Sequence, residues 1–279
     1  MGRGTRTYHG STSERRQREK SVPRRRDREG PKRDAITKFY GVQACRAIFR
    51  ERRNEIKRVF VEEGQVTAFK DLLEWSQRRG IPNKVVESEE LVRVAATEHH
   101  EGVCCEAKSL EPLSLAQLAA QTERLKAGCV LVLEGVENPH NLGAILRTGC
   151  FFGVSAVVIV SPQLRSLSGA TCRVAEGAAE TLPVTIVRTG EEVFAVLRKA
   201  GYTLVATTPH RARSIYSFRW PNKVALLFGA EGTGLSQTAL DSAEERVVIP
   251  RVGSIESLNV GVAVACVLTE VGRAAAIRD

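Results

Sequence analysis

The stretch Cys129-Val-Leu-Val-Leu-Glu-Gly-Val-Glu-Asn-Pro-His-Asn-Leu-Gly-Ala-Ile-Leu-Arg147 opens on an apolar run. It breaks at a polar turn bearing glycine and proline, then resumes with helical spacing. An apolar run without polar alternation reads as a strand buried on both faces. The helix expected at about 141–152 leads to a second such run, centred on Val157-Val-Ile-Val160. Strand, turn, helix and strand make a βαβ unit, and the alternation continues to the end of the chain. Strands are expected at 129–133, 155–160, 184–187, 202–207, 223–228 and 245–249. Helices are expected at about 141–152, 168–180, 190–200 and 235–242, with a last one from 257. Strict alternation of this kind specifies an α/β fold with a mostly parallel sheet.

In an open α/β sheet, ligands bind outside the C-terminal edges of the strands. Three polar, glycine-bearing segments fall at such edges: Asn138 to Arg147, Leu227-Phe-Gly-Ala-Glu-Gly-Thr-Gly-Leu-Ser236, and Ile249-Pro-Arg-Val-Gly-Ser-Ile-Glu-Ser-Leu-Asn-Val260. Their positions imply one shared pocket. The first strand leads into Glu134-Gly-Val-Glu-Asn-Pro-His-Asn141 rather than G-x-G-x-x-G, which argues against a dinucleotide-binding domain. No G-x-x-x-x-G-K-[ST] exists, which argues against a nucleotide triphosphatase. Glycines at 229, 232 and 234 allow backbone amides to approach a ligand, although a tight connection alone would also use them. Ser257 is a candidate N-cap. The helix after it, Val260-Gly-Val-Ala-Val-Ala-Cys-Val-Leu268, has no polar face and is expected to be covered on every side. Asn259, at the start of that helix, is expected to be buried and to require partners for its amide.

Upstream, 39 to about 106 reads as a small α/β unit. Val42, Cys45, Ile48 and Phe49 mark a helix, 56–61 a strand, and 66–79 a helix stopped by Gly80-Ile-Pro82. Val85-Val86, 89–95 and 102–107 follow as strand, helix and strand. Residues 108–127 read as a linker with a short helix through Leu115, Leu118 and Ala119. The formal net charge of +9 is uneven: residues 1–34 hold twelve Lys/Arg against five Asp/Glu, the remainder 29 against 27. With only Met1, Tyr8 and Val22 as large apolar residues, the tail is expected to be disordered. Its arginines suit RNA phosphates; a solubilising arm is the competing reading. Seven scattered cysteines without a C-x-x-C pair suit a reducing cytoplasm, and His99-His100 beside Cys104-Cys105 matches no familiar zinc spacing, so no metal is expected. No run of about 20 apolar residues is present, so no membrane span is expected.

The three C-terminal segments closely resemble the signature motifs of the SpoU (TrmH) family of RNA ribose 2′-O-methyltransferases. Asn141 with Arg147 resembles the first motif and Glu231 within Gly229-Ala-Glu-Gly232 the second. Ile249-Pro250 with Ser257-Leu-Asn259 resembles the third. Residues 36–107 resemble, more loosely, the N-terminal RNA-binding domain often found there, through Phe39-Tyr-Gly-Val42, Arg79-Gly-Ile-Pro82 and His100-Glu-Gly-Val103. The chain then divides into a tail at 1–35, a substrate-binding domain at 36–107, a linker at 108–127 and a methyltransferase domain at 128–279. The resemblance implies a trefoil-knotted C-terminal domain that binds S-adenosylmethionine through Gly229, Ile249 and Leu258, with Thr207 joining them. It also implies a homodimer acting on tRNA or rRNA. Arg251, Gly261 and Glu101 depart from common family residues and leave the RNA target open.

Methyl transfer needs no metal, because the sulfonium methyl is already activated. It does need the ribose hydroxyl aligned and its developing charge supported. A guanidinium with a pKa above about 12 is a poor base. Arg147 is therefore expected to stabilise phosphate and alkoxide. Asn141 and Asn259 would hold geometry, Ser257 would contact ribose or cofactor, and Glu231 would anchor its loop or assist proton removal. The competing readings are an RNA-binding protein of the same fold without catalysis, and a methyltransferase acting on a base nitrogen.

Overall fold

A computed structural model describes Gly2 and residues 35–209 and 212–276. The basic tail, apart from Gly2 and Ala35, lies outside the described residues.

The N-terminal lobe is a four-stranded sheet in the order β1-β4-β2-β3. Its strands are β1 (Ile36–Tyr40), β2 (Ile56–Glu62), β3 (Asn83–Val86) and β4 (Val103–Lys108), packed with α1 (Val42–Arg52), α2 (Lys70–Arg78) and α3 (Ser88–Ala95). β4 pairs antiparallel with both β1 and β2, and β3 runs parallel to β2. The sequence reading missed β1, whose Ile36-Thr-Lys-Phe-Tyr40 is half polar; its register against β4, from Ile36↔Lys108 to Tyr40↔Cys104, makes it a strand. α2 starts later than expected, because residues 66–69 form turns rather than regular helix.

α4 (Leu115–Arg124) crosses to the second sheet, opened by a capping box between Ser114 and Gln117. That sheet has the order β7-β6-β5-β10-β8-β11-β9, and its paired strands all run parallel. Its strands are β5 (Gly128–Glu134), β6 (Ala156–Val160), β7 (Val184–Val187), β8 (Thr203–Thr207), β9 (Arg213–Ser214), β10 (Lys223–Gly229) and β11 (Glu245–Val248). Successive residues serve opposite faces. Leu131, Leu133, Val157 and Ile159 join one core with α5 (Pro139–Phe151), α6 (Gly169–Val174) and α10 (Val260–Ala276). Val130, Val132, Val158 and Val160 join another with α8 (Glu191–Lys199) and α9 (Gln237–Ser242). Two covered faces explain the unbroken apolar runs.

The structure corrects three expectations. The helix expected over 168–180 is two, α6 and α7 (Ala178–Thr181), because Glu176 and Gly177 take φ of 47° and 93° and neither continues a right-handed helix. β9, only two residues long, carries no sequence pattern and was not foreseen. The last helix begins at Val260 rather than 257, and Val262 on its first turn is half exposed, so this chain alone leaves one flank uncovered.

A seam joins the lobes along α6 and α7. Arg52, at the end of α1, donates from Nε to Glu180 (2.5 Å) and from Nη1 to Glu55 (2.7 Å) and to the Lys108 carbonyl (2.5 Å). Its guanidinium also lies 4.8 Å from the centre of the Phe39 ring. Nearby, Arg173 pairs with Glu101 at 2.8 Å, and Glu101 accepts from the Val42 amide.

Candidate active site

β5, β10, β8 and β11 end on the same edge of the parallel sheet, and the three polar segments emerge there. The first is set by Asn138, the N-cap of α5, whose Oδ1 accepts from the amides of His140 (2.9 Å) and Asn141 (3.3 Å) with Pro139 in the first helical turn. This places Asn141 at the helix mouth. The second segment doubles back after β10. The Gly234 amide donates to the Ala230 carbonyl at 2.9 Å, and a Cβ on Gly229 would lie 2.0 Å from the Gly234 carbonyl carbon. Only glycine permits that approach at 229. The far end of the turn is tied to β5, where Glu134 accepts from both the amide and hydroxyl of Ser236 at 2.8 Å.

Glu231, at the tip of this turn, joins the segments. One carboxylate oxygen accepts from Asn141 Nδ2 (3.0 Å), Asn259 Nδ2 (2.8 Å) and the Val260 amide (3.2 Å). Asn259 Nδ2 also donates to Asn141 Oδ1 at 2.9 Å. Asn259 Oδ1 accepts from the amides of Gly261 (2.9 Å) and Val262 (3.3 Å), which caps α10. The carboxylate thus sits at the positive end of a long helix, where a negative charge is favoured.

Two expectations change here. The cap of α10 is Asn259, not Ser257, because the helix starts at Val260. Asn259 is exposed rather than buried, though its amide has partners on both sides. Ser257 and Leu258 stand exposed beside it, and Ile249 is half-buried against the core. Thr207, at the end of β8, donates its hydroxyl to the Leu227 carbonyl at 2.8 Å, so it braces the neighbouring strand.

Arg147 is not in this network. It lies six residues beyond Asn141, about 9 Å along α5 and on another face. It is exposed, and its Nη1 pairs with Glu176 at 2.8 Å. Sequence reasoning did not find Glu176, since an acid at the kink between two short helices carries no motif. The capping role of Asn138 does have a sequence signal, since an Asn-Pro pair before an apolar helix is a recognisable start. Clefts of about 290 Å³ at 110–113 and 179–184, and of about 770 Å³ at 62–64 and 85–93, lie apart from this edge and contain none of these residues. The larger one is lined by Glu62, Glu63, Glu87, Glu89, Glu90 and Arg93, and neither cleft includes a residue of the three loops that carry Asn141, Glu231 and Asn259. Among the described residues, no group of His, Cys, Asp and Glu is arranged to hold a metal ion.

The chain's similarities agree with this geometry. Residues 128–269 match the family described as SpoU rRNA Methylase, and residues 39–113 match the one described as RNA 2′-O ribose methyltransferase substrate binding. The chain is 36% identical to the uncharacterised tRNA/rRNA methyltransferase YfiF of Escherichia coli O157:H7, over 84% of this chain and 67% of that protein. It is 30% identical to the 23S rRNA (guanosine-2′-O-)-methyltransferase RlmB of Pectobacterium atrosepticum, over 84% of this chain and 97% of that one. The SpoU methyltransferase AviRb of Streptomyces viridochromogenes, solved with AdoMet, shares the fold with a TM-score of 0.72 at 19% identity, covering 88% of this chain and 92% of that chain.

Proposed function

The chain belongs to the SpoU methylase family, and from that membership we infer that it transfers the methyl group of S-adenosylmethionine to a ribose 2′-hydroxyl of tRNA or rRNA. The observation that carries this reading is the convergence of Asn141, Glu231 and Asn259, from three separate segments, at one sheet edge. The residues present suit the cofactor. A turn folded so tightly that Gly229 admits no Cβ, beside half-buried Ile249 and exposed Leu258, offers the mix of backbone and flat apolar contact that an adenosyl group needs. Gly229, Ile249 and Leu258 would hold it, with Thr207 bracing the adjacent strand, and when bound it supplies an activated methyl group.

Asn141, Asn259 and Glu231 fix the mutual position of the loops. Glu231 keeps its second oxygen available to take a proton or bind a hydroxyl. Ser257, exposed two residues before Asn259, would contact ribose or cofactor. Arg147 engages Glu176 through one nitrogen and retains donors for phosphate or for the developing alkoxide. The 36–107 lobe would bind the RNA, and the linker would join it to the 128–279 catalytic domain. The C-terminal domain would be trefoil-knotted, as the family membership implies. A homodimer is supported by exposed Phe151 and Phe152 at the end of α5 and by Val262 on α10, two helices that pack together. Free cysteines suit a reducing cytoplasm, where we place the enzyme; no helix among the described residues is long and apolar enough to cross a membrane.

Incubating the full chain with labelled S-adenosylmethionine and either tRNA or rRNA, followed by nucleoside mass spectrometry, tests the reading. A 2′-O-methylated nucleoside is expected. Folded, cofactor-binding protein that leaves both RNAs unmodified would favour the non-catalytic alternative, and a methylated base would favour the other. Arg147→Ala should lower turnover about 10²–10³-fold, the usual loss for one donor to a developing oxyanion, while cofactor binding persists. Near-normal turnover would remove Arg147 from the catalytic set.

A further inference from the structure

We propose that Glu176 is a positioning residue for Arg147, held in place by the lobe assigned to RNA binding. The proposal rests on the reading that Arg147 acts in methyl transfer.

Glu176 occupies left-handed backbone, with φ of 47°, where a side chain other than glycine is strained. A glycine there would relieve the strain, as Gly177 does at φ 93°. The carboxylate instead reaches Arg147 Nη1 at 2.8 Å. Stability does not account for this choice. The Arg147 and Glu176 side chains are 60% and 45% exposed, and ion pairs at such exposure contribute little. A strained residue making a weak pair is better explained by what it orients.

The backbone of Glu176 is anchored on both sides. Its amide donates to the Arg173 carbonyl at 3.1 Å, and Arg173 is tied to Glu101 of the N-terminal lobe. At the next residue, a Cβ on Gly177 would meet Ala47 of α1 at 3.1 Å, and Glu180 is locked to Arg52. The N-terminal lobe therefore sets where the Glu176 carboxylate stands. That carboxylate sets one edge of the Arg147 guanidinium and leaves its other donors for an incoming phosphate or oxyanion. Lys at 147 would lose this arrangement, because a point charge has no edge to be oriented.

Turnover is measured for the full chain and for Glu176→Gln and Glu176→Gly, each checked for melting temperature and cofactor binding. The Gln variant should lose about tenfold in kcat, since small misplacement of a catalytic group is costly. Its KM for RNA should stay the same or fall, because a negative charge leaves a surface near the RNA. The Gly variant should show the same kcat loss with an equal or higher melting temperature. Added to Arg147→Lys, the Gln change should cost less than about twofold further, because both act through one guanidinium. A Gln variant with native kcat, or one that loses the same factor in the Arg147→Lys background, overturns the proposal while leaving Arg147 catalytic. If Arg147→Ala itself turns over normally, the underlying reading falls and the proposal with it.

Discussion

Two arginine–glutamate pairs hang on one short segment, four residues apart. Arg52–Glu180 and Arg147–Glu176 close at 2.5 and 2.8 Å, so distance does not separate them. Environment does. The Arg52 and Glu180 side chains are 12% and 2% exposed, against 60% and 45% for the other pair. Burial pushes the Glu180 carboxyl up from its ordinary 4.5, and Arg52 pulls it back only in part. For Arg52, burial would lower the guanidinium, but Glu180 and Glu55 outweigh it and hold it up. In the buried pair both Glu180 oxygens depend on Arg52, which also reaches Glu55 and the Lys108 carbonyl. In the exposed pair water can replace either. The same chemistry is therefore structural at the seam and available for function one turn away.

The largest test of this contrast removes a carboxylate at each end. Glu180→Ala removes the buried carboxylate from Arg52 Nε, leaving Glu55 and the Lys108 carbonyl on Nη1, and should cost up to about 3–5 kcal/mol in urea unfolding. That is a large share of the roughly 5–15 kcal/mol that holds a domain together. Glu180→Gln keeps the shape and one acceptor and should cost less. Glu176→Ala should change stability by less than about 1 kcal/mol, as expected for an exposed pair. Equal losses at 176 and 180 would erase the distinction. The pH dependence has a defined sign. With its folded value raised, Glu180 contributes stability that is present below 4.5 and lost as pH rises through the folded value. Glu180→Gln should flatten that decline.

A smaller effect is expected at the opposite end of α5, where the polar network is also exposed but multiply bonded. Asn259→Ala removes the cap of α10 and should cost about 0.5–2 kcal/mol, with lost methyl transfer. Asn259→Asp keeps the capping oxygen but sets a carboxylate against Glu231. If the cap alone matters, the Asp variant will be as stable as the native chain and as active. If the donors to Asn141 and Glu231 matter, activity will fall while most of the stability remains.

The legible and illegible features divide along the same line. The parallel sheet was readable because both its faces are buried, which writes unbroken apolar runs such as Val157 to Val160. The convergence of Asn141, Glu231 and Asn259 was readable because strand-end loops of an α/β sheet share one edge. Strand β1 was not, because its identity comes from pairing with β4 rather than from its own residues. The break in the helix at Glu176-Gly177 was not, because a glutamate in left-handed backbone follows no local preference. Asn259 was expected to be buried because the helix after it is apolar; capping, which works at the surface, explains it instead. The role of Arg52 and Glu180 was invisible, since two charges 128 residues apart carry no sign that folding will bury them together.

Two cysteines report on the contrast without changing a charge, and they give the smallest expected effect. Cys172, on α6, is 2% exposed; burial raises its thiol well above the ordinary 9.0, Glu180 adds to this and Arg52 opposes it. Cys150, on α5, is exposed, 3.5 Å from the Thr181 hydroxyl. The thiolate is the reactive form, so iodoacetamide at pH 8 should label Cys150 in the native protein and spare Cys172. Cys104 and Cys129, pushed up to about 12 chiefly by burial, should be spared too. The sign of the linkage follows from those raised values. Their contribution to stability is complete below about 9 and is lost as pH climbs toward 12, so the melting temperature should fall across that range. Replacing Cys129 with Ala should reduce the fall. In Glu180→Ala, Cys172 should become reactive as the seam loosens, whereas in Glu176→Ala it should stay protected. Peptide mapping by mass spectrometry reads both variants. Labelling of native Cys172 as fast as Cys150 would mean that the seam opens to water readily. The Arg52–Glu180 pair would then be no more buried in solution than Arg147–Glu176.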